Sequence, residues 1–334
     1  MYKSILDYFE KTVAANPDKA ALLHREDSCS FTELMQRGQK LGSLLSCLLK
    51  QSMFSPIVVL LPKSIDSVTA DIGILYSSNV FNNLDIKTPV QRLENIIKQL
   101  KPAAVITEEK YSDLIDWKKY QMEVVEIDKL DFDQMSIDHE MLQKNREKLI
   151  DTDPFCIINT SGSTGTPKGV VLNYKSFFDF MAWATETFSL SGDEIIGALS
   201  PIVFDIYDFE ICLMMMKGAS IVLLDSSLAV FPAKLLAELQ EKKVNFLFWV
   251  PTIMVNIANM NLLEKLPLPD IKTIWFAGEV FPTKQFNYWK KQLPQAVFAN
   301  LYGPIEITLD CIYYIVDRDF DDDEPLPIGL PCNN

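Results

Sequence analysis

The chain has 334 residues, 48% of them hydrophobic, and a formal net charge of −14. That is enough apolar residue for a sizeable core and too long for one comfortable domain. The acidic balance excludes duplex nucleic acid as a partner, because backbone binding needs a basic face.

In chain order, "MYKSILDYFEK" reads as an amphipathic helix rather than a signal peptide. "IVVLLP" (57–62) is strand-like and precedes a helical "IDSVTADIGILYSS"; "AAVIT" (103–107), a helical "EEKYSDLIDW" and "EVVEI" (123–127) repeat the alternation. This is βαβ construction, hence a mostly parallel sheet. An acidic segment, 128–154, reads as a linker with one helix. Beyond it, "FCIIN" and "GVVLNY" are strands and "KSFFDFMAWATETF" a helix. Further strands are "IIGALSP", "ASIVLLD", "VNFLFWVP", "IKTIWFAG" and "AVFANLYG". The helices between them are placed at 206–217, 231–242, 252–259 and 283–291, with length deciding most assignments. The tail reads as one strand and an acidic, proline-rich loop. The expected fold is α/β: mostly parallel sheets flanked by helices in two subdomains, 1–150 and 151–334, the second carrying the phosphate loop and substrate pocket.

Six scattered cysteines without a CxxC pair read as buried hydrophobes in a reducing compartment. Two histidines in polar contexts are too few for a zinc site or a histidine-based triad. No apolar run reaches the length of a membrane span. The expectation is a cytoplasmic protein with no membrane partner.

The stretch "TSGSTGTPKGVV" gathers Thr160, Ser161, Gly162, Ser163, Thr164, Gly165 and Lys168 after a strand. Successive backbone N–H groups of such a loop form a concave anion site, the hydroxyls add donors, and Lys168 adds a point charge. It is not a Walker A loop, because Pro167 precedes the lysine, Gly169 follows it, and a strand continues from there.

"TSGSTGTPKG" resembles the phosphate loop of the adenylate-forming (ANL) superfamily: acyl-CoA synthetases, luciferases and the amino-acid adenylation domains of nonribosomal peptide synthesis. "SFTELMQRGQKLGSLL" (30–45), "FNNLDIKTPVQRLENIIKQLKPAAVIT" (81–107) and "FANLYGPIEIT" (298–308) are similar to further family motifs in the family's order, so the resemblance spans essentially the whole chain. It implies that a carboxylate attacks the α-phosphate of Mg-ATP and that a thiol then takes the acyl group. Such chemistry needs a cradle for pyrophosphate, a magnesium ligand and a wall for adenine. By the resemblance, Ser161 to Gly165 with Lys168 form the cradle, Thr164 and Lys168 act in catalysis, and Glu306 binds magnesium. Tyr302 packs by the adenine, with Asn300, Leu301 and Gly303 beside it, and the Gly278 backbone approaches the nucleotide. Two positions depart from the pattern: Ile305 replaces a usual threonine, and Tyr174 stands where a histidine commonly follows the phosphate loop.

"FDIYDFE" (204–210) resembles the "FDxSxxE" of amino-acid-activating members, with Tyr207 in place of serine. The resemblance implies that Asp205 binds the substrate ammonium; a helix cap is the other reading of that residue. The side-chain pocket would be lined by Ile206, Phe209, Phe248, Trp275, Ala277, Leu301, Leu309 and Asp310. Three large aromatics there imply a small substrate of the alanine, glycine, serine or proline class, though plain core is the other reading. "FAGEVFP" resembles the D-alanine–carrier protein ligases. Asp310, if it faces the pocket, could accept from a hydroxyl or a basic side chain.

The activity so implied is ATP-dependent adenylation of a small amino acid, for transfer to the phosphopantetheine thiol of a carrier protein. An acyl- or aryl-CoA synthetase and a non-catalytic nucleotide-binding scaffold stand as alternatives. Family members continue past this chain with the ribose-binding aspartate, a hinge and a small C-terminal domain carrying a catalytic lysine. The expectation is therefore an N-terminal core that is weakly active or inactive as it stands, from a free-standing ligase or a larger synthetase.

Overall fold

Serine opens the first three long helices of the chain. In α1 (Ile5–Ala15), α2 (Phe31–Leu48) and α3 (Ile65–Tyr76), the hydroxyls of Ser4, Ser30 and Ser64 accept from first-turn N–H groups, and Asp7, Glu33 and Ser67 reciprocate to complete capping boxes. The computed structural model describes residues 3–160 and 167–333. Two compact units divide the chain. The first takes in the chain up to Ala21, Ser28–Phe178 and Ile202–Asp205; the second takes in Leu22–Asp27, Asp179–Pro201 and everything from Ile206.

After α1 come two short strands, β1 (Ala20–His24) and β2 (Asp27–Ser30). The first unit is then built on β3 (Pro56–Leu60), β4 (Val80–Leu84), β5 (Ala104–Thr107), β6 (Glu123–Glu126), β7 (Pro154–Thr160) and β8 (Lys168–Asn173), in the sheet order β6-β5-β3-β4-β7-β8. Neighbours run parallel except β7 and β8, which form an antiparallel pair. Helix α4 (Val90–Leu100) packs Leu93, Ile96 and Ile97 against Val58, Leu60, Leu84 and Val105 of the sheet. One short helical turn, α5 (Glu109–Ser112), follows β5, and α6 (His139–Arg146) is the one α-helix of the acidic segment. Because β7 pairs with β4 at Phe81–Cys156, the strand pair bearing Lys168 is part of the first sheet, and the contact boundary falls inside α7 (Tyr174–Phe188) instead of near residue 150.

The second unit follows with β9 (Ile195–Ala198), α8 (Asp205–Lys217), β10 (Ser220–Leu223), α9 (Pro232–Glu241), β11 (Phe246–Trp249) and α10 (Pro251–Asn259). Then come β12 (Thr273–Phe276), α11 (Thr283–Gln292), β13 (Val297–Tyr302), β14 (Ile312–Ile315) and β15 (Leu330–Pro331). Its nine-stranded sheet has the order β15-β14-β13-β12-β11-β9-β10-β1-β2. The central pairs are parallel, and β14 and β15 close one edge antiparallel.

Side chains alternate across this sheet with period two. Leu247, Trp249, Ile274, Phe276 and Phe298 form one core with the apolar residues of α9, α10 and α11, among them Leu235, Ile257 and Trp289. Phe246, Phe248 and Trp275 lie on the opposite face and meet Phe209 of α8. Helix α8 has no polar face: every residue from Ile206 to Met215 is buried, Asp208 and Glu210 included. A helix covered on all sides is a core helix, and it brings the candidate substrate residues into the interior.

Candidate active site

In the first unit, Thr160 ends β7 and pairs with Lys168, the first residue of β8. The Thr160 hydroxyl donates to the Lys168 carbonyl at 3.5 Å, and Lys168 is exposed. Ser161, Gly162, Ser163, Thr164 and Gly165 lie outside the described residues. Inward from this pair, the Asn159 amide donates to Asn82 Oδ1 at 3.0 Å, and Asn82 Nδ2 donates to the Ile157 carbonyl at 2.6 Å. Asn83 donates to Asp71 at 3.2 Å. The buried amide of Asn82 thus fastens β4 to β7 at the end of the sheet from which the loop departs. Sequence reasoning missed these residues; two adjacent asparagines inside the strand-like "VFNNL" were the available signal.

Tyr174 is a core ring. It is 2% exposed and contacts Phe155 and Phe178 at centroid distances of 5.4 and 6.2 Å, and burial pushes its phenol pKa well up. The residue that replaces the family's histidine therefore serves packing in this chain.

Asp205 is the first residue of α8 and is half-buried. A carboxylate is stabilised there by the helix dipole. The chain passes from the first unit to the second between Asp205 and Ile206.

In the second unit the expected side-chain pocket is a closed aromatic wall. Phe209, Phe248 and Trp275 touch one another pairwise, with centroids 5.7, 5.1 and 5.5 Å apart. All three are 0% exposed. Phe248 and Trp275 are register partners on β11 and β12, so they stand side by side on one face. Ile206, Ala277, Leu301, Leu309 and Asp310 are buried as well.

The residues expected beside a nucleotide lie at and beyond the ends of β12 and β13. Gly278 has φ +85°, a left-handed conformation that glycine adopts freely. Its neighbour Glu279 accepts from the Thr252 N–H at 2.9 Å and from the Thr252 hydroxyl at 2.5 Å, so it caps α10. Asn300 donates to the Pro327 carbonyl at 2.8 Å. Tyr302 is 52% exposed, and an exposed phenol ring can stack on a planar base. Gly303 has a role separate from any ligand: a β-carbon there would lie 2.3 Å from the Leu309 carbonyl oxygen and 2.6 Å from Asp310 Cα. Glu306 projects from the 3₁₀ turn Ile305–Ile307 and is exposed. Thr308 and Leu309 follow with φ of 67° and 61°, both buried. Two successive non-glycine residues in the left-handed region store strain of order 1–3 kcal/mol each.

The residues fit magnesium in one specific way. Among the described residues no group of three or more His, Cys, Asp or Glu could hold a metal ion. A lone hard carboxylate such as Glu306 matches magnesium that keeps several waters and takes its other ligands from substrate phosphates. Also among the described residues, no helix is long and apolar enough to cross a membrane.

The family model described as "AMP-binding enzyme" matches residues 9–334. Zwittermicin A synthase ZmaJ of Bacillus cereus is 24% identical over 344 aligned residues, covering 100% of this chain and 63% of that protein. A D-alanine–D-alanyl carrier protein ligase of Bacillus cereus is 27% identical over 336 residues, covering 97% of this chain and 64% of the ligase. The chain thus spans a little under two thirds of the length of these relatives. Among solved structures, the nonribosomal peptide synthetase FmoA3 matches with a TM-score of 0.83 at 20% identity, over 98% of this chain and 34% of that one. VinN in complex with L-aspartate matches with a TM-score of 0.82 at 19% identity, over 99% and 83%. These two likenesses establish the fold: an α/β core of mostly parallel sheets flanked by helices. From its matched family model and the motifs placed above, this chain belongs to the AMP-binding enzyme family.

Proposed function

We propose that this chain is the core of an amino acid–carrier protein ligase that activates a small amino acid with ATP. A substrate carboxylate oxygen attacks the α-phosphorus, the bond to pyrophosphate breaks, and an aminoacyl adenylate forms. The phosphopantetheine thiol of a carrier protein then attacks the carbonyl carbon, giving a thioester and releasing AMP. Lys168 would neutralise charge on the departing pyrophosphate, and Tyr302 would stack on the adenine. Glu306 would hold magnesium, which supplies charge neutralisation at the phosphates when bound. Asp205 would pair with the substrate ammonium.

The observation that carries the reading is the combination on α8: a carboxylate opens the helix, and Phe209, one turn later, joins the closed wall with Phe248 and Trp275. An ammonium partner and little side-chain room together favour a small amino acid over a fatty or aryl acid. The likeness to D-alanine–carrier protein ligases points the same way.

Thermal unfolding in Mg-ATP, with a panel of small amino acids and their deaminated analogues, tests it. At about 100 times Kd a ligand specific to the folded state adds roughly 2.7 kcal/mol. The reading expects a rise with a small amino acid and none with its deaminated analogue. An equal rise with both would transfer the site to the acyl-CoA synthetase chemistry.

A further inference from the structure

Cys311 and Cys332 stand opposite each other on two paired strands of the second unit. Across the antiparallel β14–β15 pair, Ile312 faces Pro331 and Tyr313 faces Leu330, so the register carried one step further sets Cys311 against Cys332. The Cys332 N–H donates to the Cys311 carbonyl at 2.8 Å, as that step requires. The Cys332 thiol lies 3.8 Å from the Asp310 carbonyl oxygen, so it points toward the chain of Cys311. Both cysteines are half-buried and both are free thiols. The other four are scattered over β2, α2, β7 and α8, and Cys156 of β7 faces Phe81 and Leu172 in its register.

Opposed residues of a hydrogen-bonded antiparallel pair have Cα atoms about 5.5 Å apart, and disulfides span about 4.4–6.8 Å between Cα atoms. Joining the two sulfurs therefore needs no backbone movement. The strands are already pressed together: a β-carbon on Gly329 would lie 1.9 Å from the Tyr313 carbonyl oxygen. Burial, with Asp310 and Cys311 alongside, pushes Cys332 up to about 12. A disulfide has no charge to desolvate, and a dithiol that is not stabilised as thiolate holds its disulfide against reduction.

We propose that Cys311 and Cys332 form a redox-sensitive staple between β14 and β15. One thiolate attacks a sulfur of a low-molecular-weight disulfide, such as oxidised glutathione, and expels a small thiolate, leaving a mixed disulfide. The second cysteine loses its proton, displaces the remaining small thiolate and closes the Sγ–Sγ bond. Two electrons and two protons pass to the small disulfide, which leaves as two thiols. Oxidation closes residues 312–331 into a loop. It also fixes the base of the turn bearing Glu306, because the Cys311 N–H closes that turn on the Tyr302 carbonyl at 2.9 Å. In the reduced chain this edge rests on β15, a strand of two residues.

The test incubates the full chain, folded or in urea, in buffers of oxidised and reduced glutathione. Exchange is quenched with acid, free thiols are alkylated, and the peptides are mapped by mass spectrometry. The Cys311–Cys332 linked peptide is expected to be favoured at least tenfold in the folded chain over the chain in urea. By linkage, the oxidised chain should then melt at least about 2 °C above the reduced one. Backbone amides of residues 303–311 should exchange hydrogen more slowly after oxidation. These three readouts need no variant; Cys332→Ser should remove the linked peptide and both differences. A linked peptide no more favoured in the folded chain than in urea overturns the inference, as do glutathione adducts on Cys311, Cys332 or Cys47 without the link. A linked chain whose melting and exchange match those of the reduced chain overturns it equally.

Discussion

Gly303 and Leu309 approach so closely that a β-carbon on Gly303 would sit 2.3 Å from the Leu309 carbonyl oxygen. The obstacle is backbone, which cannot swing aside as a side-chain end can. Gly303→Ala therefore has to displace the turn that carries Glu306 and the left-handed pair Thr308–Leu309. Overpacking of this kind costs about 1–3 kcal/mol. Gly278→Ala is the control: its β-carbon would find no atom closer than 3.8 Å, so only the left-handed backbone is penalised, at about 1 kcal/mol. Urea denaturation should place the Gly303→Ala midpoint below that of Gly278→Ala, with equal slopes. The reverse order would mean that the turn relaxes freely.

Asp205 has two separable contributions. As the first residue of α8 it gains about 0.3–1 kcal/mol from the helix dipole. As an ammonium partner it would contribute a charge-assisted bond of about 1.5–3 kcal/mol. Asp205→Ala should lower the unliganded Tm by a degree or two and weaken amino-acid binding by roughly 10- to 100-fold. Unchanged amino-acid affinity in this variant would reduce Asp205 to a helix-end residue.

Much of this was legible in the sequence, for identifiable reasons. Helices α8 to α11 fall within a residue or two of their expected bounds, because apolar runs and flanking prolines mark them. The β1–β2 region gave no such signal: β1 pairs through Leu22 with Ile221, some two hundred residues on, and four apolar residues do not announce so distant a partner. The pairing of Cys311 with Cys332 was equally silent, since their spacing does not show that β14 and β15 lie side by side. Gly303 reads as part of a ligand motif, whereas its nearest constraint is the backbone of Leu309 and Asp310.

Part of the chain's acid sensitivity should lie at the start of α2. Hydrogen bonds from the Ser30 N–H and hydroxyl hold the Glu33 carboxyl below its ordinary value of 4.5. A depressed carboxyl contributes stability above the unfolded pKa, and that stability is lost as pH falls through the folded value. The loss therefore sets in below about pH 4.5. Glu33→Gln keeps an acceptor for the capping box but cannot titrate. Its stability should fall less steeply between about pH 5 and 3 than that of the parent chain, measured by chemical denaturation at each pH. Parallel curves would place the acid-sensitive group elsewhere.

Thiol chemistry should select a single site. Cys29, Cys156 and Cys212 are buried, and burial pushes Cys29 up to about 11 and Cys212 well above its ordinary value. Cys311 and Cys332 are half-buried, and Cys332 is pushed up to about 12. Cys47 is exposed on the last turn of α2. Since the thiolate is the reactive form and access limits the rest, brief treatment with iodoacetamide at pH 8 should give one adduct by mass spectrometry. Cys47→Ser should abolish it. Rapid labelling of Cys29 instead would mean that the first unit opens on the labelling timescale.

The aromatic wall makes a prediction about scope as well as stability. Phe209 contacts both Phe248 and Trp275 with no exposed surface, so Phe209→Ala removes a core ring at a cost of about 3–5 kcal/mol. Phe209→Leu leaves most of the packing and should cost less, while opening room on the side of α8. If the wall sets the size of the substrate, Phe209→Leu should admit a larger side chain, such as that of leucine or methionine, in the Mg-ATP thermal-shift panel. It should do so without weakening the response to the small amino acid by more than about tenfold. A variant that folds, keeps its original response and gains none would show that these three rings are core alone, with the size limit lying elsewhere.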